Sequence, residues 1–409
     1  MLSRQHGVPR VSGATVDKSE QAKAKERKQI DAYKQLENEV VEKVRPISVL
    51  HRRPSKPGSR EARTLTSVPR SQIHAKDFSN TTLQLTSRLL SQNPEYYTIW
   101  NHRRLILQHV FAKELASGNN AALETADDGN ADAQAAQKAG LTLAQQEISL
   151  LIKEDLQFLI PLLKQFPKCY WIWNHRSWLL ATATEHLPST SALALWQGEL
   201  GLVGKMLALD SRNFHGWTYR REVVKQIEEL SGKSMVEKEY EYTTKMIQTD
   251  LSNFSAWHNR SQLIPRLLAE REASSADRRL LFNGEIELIT RALYTDPYDQ
   301  SLWFYHGYLM STLDPSNAQA TPVLDPCTNS ERVEYLEQEI DSVKDMLDGA
   351  EDCKYIYQAL LEYSRKCLEV EAGNKKVTTM EMKEWSSELQ NIDPLRAGRW
   401  KDMEMSMKL

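Results

Sequence analysis

Cysteine, proline and glycine are all scarce in this 409-residue chain, at 4, 15 and 16 residues. The four cysteines (Cys169, Cys327, Cys353 and Cys367) stand far apart and form no Cys-x-x-Cys pair. That leaves no readable zinc finger or disulfide framework, and it points to a reducing, cytoplasmic setting. No apolar run is long enough to span a bilayer. The opening segment, MLSRQHGVPRVSG, lacks the apolar stretch of a signal peptide. A dominant charge is missing too: 52 basic residues against 55 acidic ones give a net charge of −3, which disfavours a broad nucleic-acid-binding surface. No Gly-rich phosphate loop, Ser-His-Asp arrangement, carboxylate pair or metal-ligand cluster stands out. No segment alternates with a two-residue period between hairpin turns, so a sheet has no support.

What is present is helical pattern. Residues 17–45 are rich in charge and strong helix formers and predict an exposed helix that Pro46 ends. Residues 51–70 are basic, contain three prolines and read as a loop. Residues 1–75 therefore form an N-terminal tail, and 76–409 form the folded domain. Within it, 113–142 is a low-complexity insertion built around an Ala/Asn/Asp/Gly stretch.

In that domain one phrase recurs five times, anchored on Trp100, Trp173, Trp217, Trp257 and Trp303. The copies read NPEYYTIWNHRRLIL, FPKCYWIWNHRSWLL, SRNFHGWTYRREVV, LSNFSAWHNRSQLI and DPYDQSLWFYHGYLM. The intervals are 73, 44, 40 and 46 residues, the first lengthened by the insertion. This spacing suits helical hairpin repeats. Two aliphatics follow each tryptophan six and seven residues later, giving an apolar helix face. Pro94, Pro167 and Pro297 stand six residues before their tryptophans. They predict helix starts, with Asn93, Asp210 and Asp296 as N-caps. Asp-Pro ahead of Trp400 marks a degenerate closing repeat.

A large aromatic at fixed register in a repeat is core between stacked helices. Arg103, Arg176, Arg220 and Arg260, three residues after four of the tryptophans, suit buried pairing with the neighbouring repeat; the fifth copy has His306 there. Five copies of one phrase are thus mostly architecture, and chemistry belongs where the copies differ. Copy two carries Lys168 and Tyr170 ahead of its tryptophan, copy three carries His215, and copy one has Tyr97 in the register of Tyr170. Helix N-termini beside a lysine attract anions, a phosphate or diphosphate among them. Lysine, tyrosine and histidine donors could stabilise a pyrophosphate leaving group.

The phrase N-x-x-x-W-x-x-R at this interval resembles the α subunits of protein prenyltransferases. The likeness is clear over roughly residues 80–310. Within that family, DPYDQSLWFYH, LQLTSRLLSQNP, QNIDPLRAGRWKDM and the His-Gly ahead of a Lys/Glu-rich helix look like the Rab geranylgeranyltransferase type. With no leucine-rich repeat, the chain would be the compact form, lacking also the immunoglobulin-like domain. The resemblance implies an all-α fold, a right-handed superhelix of helical hairpins wrapped around a β subunit. That β subunit would hold the catalytic zinc, with no metal or cofactor bound by this chain alone. The reaction implied is transfer of geranylgeranyl from geranylgeranyl diphosphate to C-terminal cysteines of Rab GTPases presented by Rab escort protein. By motif register Lys168 would face the diphosphate and assist its departure, with Tyr170, His215 and Tyr97 beside it. Members of the type place a histidine directly after the initiator methionine, within reach of the β-subunit zinc. Here His6 follows five other residues, which leaves it only a weak candidate for that regulatory ligand.

Two other readings compete. One is the α subunit shared by the CaaX farnesyl- and geranylgeranyltransferases. The other is a non-catalytic helical scaffold of the tetratricopeptide kind, though such units run 34 residues and lack the W-x-x-R phrase.

Overall fold

The computed structural model describes residues 20–44, 77–117, 140–372, 374 and 376–407. His6, most of the tail and the core of the 113–142 insertion lie outside them. The chain divides into two compact units, residues 1–198 and 199–409. The first contains α1 (Glu20–Val44), α2 (Asn80–Gln92), α3 (Tyr97–Ala116), α4 (Leu143–Gln165) and α5 (Tyr170–His186). Helix α6 (Ser189–Leu209) runs through the division. The second unit continues with α7 (Phe214–Ser231), α8 (Val236–Thr249), α9 (Phe254–Glu270), α10 (Ser275–Thr295) and α11 (Gln300–Ser311). It ends with α12 (Asn329–Asp345), α13 (Lys354–Val370), α14 (Thr379–Ile392) and α15 (Ala397–Met407). The described residues are thus all-α, built of antiparallel hairpins from α2–α3 through α14–α15. None of these helices is long and apolar enough to cross a membrane. Helix α1 matches the charged helix expected at 17–45, and only Leu36 and Val40 of its apolar residues are buried. Helix α3 runs on to Ala116, and Thr142 caps α4 with a reciprocal Gln145 bond. Both ends of the segment read as insertion are therefore part of the repeat frame.

Each anchoring tryptophan is the fourth residue of the second helix in its hairpin and is at most 7% exposed. Its indole N–H is not left unsatisfied. Trp100 donates to the carbonyl of Pro94 (2.7 Å), Trp173 to Pro167 (2.9 Å), Trp217 to Ser211 (2.8 Å), Trp257 to Leu251 (2.8 Å) and Trp303 to Pro297 (2.7 Å). In every case the acceptor is six residues upstream, in the interhelical turn. This corrects the capping expectation. Asn93 and Asp296 are C-caps of α2 and α10, and the Asp210 N–H likewise closes α6 on Met206. Their side chains, where bonded, start the turn: Asn93 Oδ1 accepts from Glu95 N and Asp296 Oδ1 from Tyr298 N. The prolines lie in that turn, not in the first helical turn. Among the tryptophan-bearing helices, the N-caps with side-chain bonds are Asn213, Asn253 and Asp299, four residues before their tryptophans.

The same acceptors stitch successive hairpins together. Cys169 Sγ reaches the Pro94 carbonyl (3.4 Å), Asn253 Nδ2 the Ser211 carbonyl (2.8 Å) and Cys353 Sγ the Pro297 carbonyl (3.0 Å). Cys353 exposes a repeat missed in the sequence. In α12–α13 the tryptophan register is occupied by Tyr357, whose hydroxyl donates to Glu351 O six residues upstream (2.8 Å). The closing repeat at α14–α15 does bury Trp400, but its indole nitrogen has no partner.

One turn further along, the arginines meet carboxylates from the first helix of the next hairpin. Arg103 pairs with Asp155, Arg220 with Glu239 (2.6 and 2.8 Å) and Arg260 with Glu285 (2.6 and 2.7 Å). His306 replaces the arginine faithfully: Nε2 meets Glu339 (2.7 Å) and Nδ1 meets the Tyr363 hydroxyl (2.6 Å). Arg176 donates to the Leu156 carbonyl (2.8 Å). Of the paired aliphatics only Leu263 is half-buried; the others are buried.

Two stability tests follow from this register. Trp217→Ala removes a 1%-exposed indole and should cost about 3–5 kcal/mol; an unchanged melting curve would refute the core assignment. The second test is pH. Burial holds His175 down at about 4 from its ordinary 6.5, its bond to Asp155 offsetting only part of that. Burial raises the Asp155 carboxyl, but Arg103 and His175 more than reverse it and hold it below the carboxylate range. A neutral buried His175 gives its full stability above pH 6.5 and loses it as pH falls towards 4, where the unfolded chain binds the proton first. Melting followed from pH 7.5 to 4.5 should therefore decline less steeply for His175→Asn than for the parent. Equal slopes would remove His175 from the explanation.

Candidate functional site

The second helix of each hairpin begins with a residue three before the anchor, and the turn just ahead of it opens to solvent. Lys168 sits in the turn between α4 and α5 and is exposed. Tyr170 opens α5 and is 53% exposed; Tyr97 opens α3 and is 52% exposed. Large aromatic side chains are seldom left so open without cause, and these two share a neighbour. The Trp171 ring stands 5.5 Å from Tyr97 and 5.3 Å, edge-on, from Tyr170. Three of the four residues singled out in the sequence are thus gathered at one edge of the first unit.

His215 belongs to the second unit. It is half-buried in the first turn of α7, its ring 4.0 Å from that of Phe214. Its backbone N–H and that of Gly216 donate to the Asn213 side chain (3.1 and 3.3 Å). Gly216 matters for this placement. A Cβ there would come within 3.0 Å of the Leu207 side chain, so glycine lets the start of α7 lie close against α6.

Behind the first-unit edge lies a polar relay that sequence reading missed. Asn174 Nδ2 donates to the Tyr170 hydroxyl (3.4 Å), and Asn174 Oδ1 accepts from Arg104 Nη2 (2.6 Å). Arg104 Nε donates to His175 Nδ1 (3.3 Å), and His175 Nε2 donates to the buried Asp155 (2.8 Å). The exposed phenol is thereby tied, through the side chains of Asn174, Arg104 and His175, to a carboxylate of the repeat core. The signal for Arg104 was in the sequence, as a second arginine directly after the structural one in WNHRRL; Arg221 repeats it in WTYRRE. Trp171 and Asn174 carried no such mark.

An edge of this kind suits anions, with an ammonium, phenol donors and helix N-termini, although the Glu95 carboxylate acts on neighbouring Cys169. Among the described residues no cluster of histidine, cysteine, aspartate or glutamate could hold a metal ion. The second unit adds an aromatic groove of about 320 Å³ between α9 and α11, lined by Phe254, His258, Phe304 and Tyr308 among others.

Comparison with known proteins identifies the repeat. The protein prenyltransferase alpha subunit repeat matches five times, at residues 79–110, 152–183, 196–227, 236–267 and 282–313. Each match contains one anchoring tryptophan, and α12–α13 and α14–α15 lie beyond them. The geranylgeranyl transferase type-2 subunit alpha of Schizosaccharomyces pombe is 34% identical over 80% of this chain and 86% of its own length. Its Saccharomyces cerevisiae counterpart is 38% identical over 59% of this chain and 62% of its own. The human one is 35% identical over 60% of this chain but only 36% of its own length. Among solved structures, Candida albicans protein geranylgeranyltransferase-I complexed with GGPP matches with a TM-score of 0.51 at 18% identity, over 81% of this chain and 85% of that one, a likeness of fold alone. The chain belongs to the protein prenyltransferase α-subunit family, among the type-2 geranylgeranyltransferase α subunits.

Proposed function

We propose that this chain, joined to a prenyltransferase β subunit in the cytoplasm, transfers geranylgeranyl from geranylgeranyl diphosphate to C-terminal cysteines of Rab GTPases presented by Rab escort protein. The observation that carries the proposal is Lys168, exposed in the turn before α5, beside Tyr170 and Tyr97, in a chain whose relatives bear the type-2 name.

In the reaction a C–S bond to the acceptor cysteine forms as the C–O bond to the diphosphate breaks. A zinc ion in the β subunit would lower the acceptor thiol's pKa and supply the thiolate. This chain acts at the other end, where negative charge grows on the departing diphosphate. Lys168 meets that charge as a point cation, and the Tyr170 hydroxyl, held by Asn174, donates to it with Tyr97. Such donors accelerate the step because they bind the leaving group more tightly as it departs.

The test is transfer of labelled geranylgeranyl by the chain coexpressed with a type-2 β subunit, using a Rab protein and escort protein. Lys168→Ala should lower turnover about 100-fold or more while the heterodimer elutes intact. Wild-type turnover in that variant would refute the leaving-group assignment. A pair that modifies CaaX peptides without escort protein would move the chain to the other prenyltransferase class. Failure to pair at all would restore the scaffold reading.

A further inference from the structure

Many constrained arginines among the described residues are matched with acid, although half-buried Arg278 and Arg332 bond only carbonyl and amide oxygens. In the core Arg103, Arg220 and Arg260 meet Asp155, Glu239 and Glu285. On the surface of the second unit Arg266 meets Glu228 (2.7 Å), Arg271 meets Glu237 (2.5 Å) and Arg279 meets Glu331 (2.6 Å). Arg104 is also without an acid, and it lies on the flank of the repeat beside the exposed aromatic edge. It is half-buried, yet its partners are neutral: Asn174 Oδ1, His175 Nδ1 and the face of Trp178, 5.4 Å away. No carboxylate among the described residues lies within ion-pair distance of it, and Nη1 makes no hydrogen bond. Burial lowers its pKa, with only the Tyr170 phenol acting the other way. Arg221, at the same position after its own tryptophan in the second unit, is exposed and likewise has no carboxylate among the described residues within ion-pair distance. Its one bond is to Thr218 Oγ1 (3.1 Å), and its charge, after burial, helps lower the pKa of neighbouring His258.

We infer that Arg104 and Arg221 are docking points for carboxylate side chains of the partner β subunit; the inference rests on the heterodimer reading above. Arg104, a half-buried cation with no acid of its own, is costly alone and favourable once an acid arrives, and exposed Arg221 offers the same charge at the same register. Its setting suits a protein partner better than a diphosphate. Arg104 lies seven residues after Tyr97 on one face of α3, as Arg221 does after Phe214 on α7. That is about 10 Å along the helix from the N-terminal edge. Each face therefore presents an exposed aromatic, 52% and 63% open, with a guanidinium two turns away. Aromatics and arginine together are the composition of an interface core. The bonds to His175 and Asn174 hold the Arg104 fork in one plane, so little order remains to be gained when a carboxylate binds.

The test is heterodimer affinity at about 0.1 M salt for the parent, Arg104→Glu, Arg221→Glu and a matched reversal of exposed Lys233. Arg104→Gln is included because it keeps a donor for Asn174 and guards against misfolding, which melting curves would report. The inference expects tenfold or greater weakening for each arginine reversal, a smaller loss for Arg104→Gln, no change for Lys233→Glu, and flatter salt dependence in the arginine variants. Parent-like affinity in the folded arginine variants would overturn it. So would normal affinity with a raised KM for geranylgeranyl diphosphate, which would give these arginines to the diphosphate instead. If the parent chain itself failed to bind any β subunit, the heterodimer reading would fall, and this inference with it.

Discussion

A single buried carboxylate on the first helix of a hairpin carries the order of this repeat array. Glu285, 3% exposed, accepts from both nitrogens of the Arg260 fork in the preceding hairpin, from Tyr305 of its own hairpin (2.5 Å) and from Tyr240. Asp155 is shared in the same way between Arg103 and His175. A charge so far from water is tolerable only when its lone pairs are filled. That requirement fixes the distance and rotation between successive hairpins more sharply than apolar contact alone, which tolerates sliding. Where His306 replaces arginine, the carboxylate persists as Glu339 against Nε2, while Nδ1 of the histidine meets the Tyr363 hydroxyl. The constraint is the paired carboxylate, and the identity of its nitrogen partner is secondary to it.

The second constraint acts at the turns. Each indole needs an acceptor, and the nearest is the turn carbonyl six residues upstream, so the tryptophan fixes the path of the turn as well as the core. That carbonyl has a second lone pair, which Cys169, Asn253 or Cys353 of the following hairpin occupies. Because the anchor is always the fourth residue of its helix, the residues three before it land at the helix start every time. The edge that holds Tyr97 and Tyr170 is therefore a by-product of core register. Substitution there leaves the frame intact, and so the copies are free to differ at that place.

Helix type, hairpin periodicity and the buried tryptophans were legible in the sequence because they follow from identity at fixed spacing. The caps were not. An Asx-Pro pair before a helical pattern reads as an N-cap, but Asn93 and Asp296 end one helix and open a two-residue turn, so the next helix starts four residues later. The α12–α13 hairpin was hidden for another physical reason. Tyr357 makes the same six-residue bond with a hydroxyl in place of an indole N–H, so the interaction is kept while the letter changes. At the site, Lys168, Tyr170 and Tyr97 could be found by asking where copies differ. Asn174 and Trp171 could not, since their roles lie in contacts between helices that the local pattern does not encode.

Adjacent arginines in the first copy show how closely structural and functional roles can be set in such a repeat. Arg103 and Arg104 are one residue and about 100° of helix rotation apart. The first turns inward to Asp155 and is 4% exposed; the second stays half-buried on the flank with neutral partners. The two are also linked, because His175 touches both the carboxylate that Arg103 binds and the guanidinium of Arg104. With Asp155 ionised and fully engaged, His175 needs no proton of its own charge. Its Nε2–H goes to the acid and its Nδ1 is left as an acceptor for Arg104. A protonated His175 could not accept that bond and would set a second cation against Arg104. Burial, which keeps His175 neutral down to about pH 4, is thus what lets the core carboxylate orient a surface arginine and, through Asn174, the Tyr170 hydroxyl at the edge.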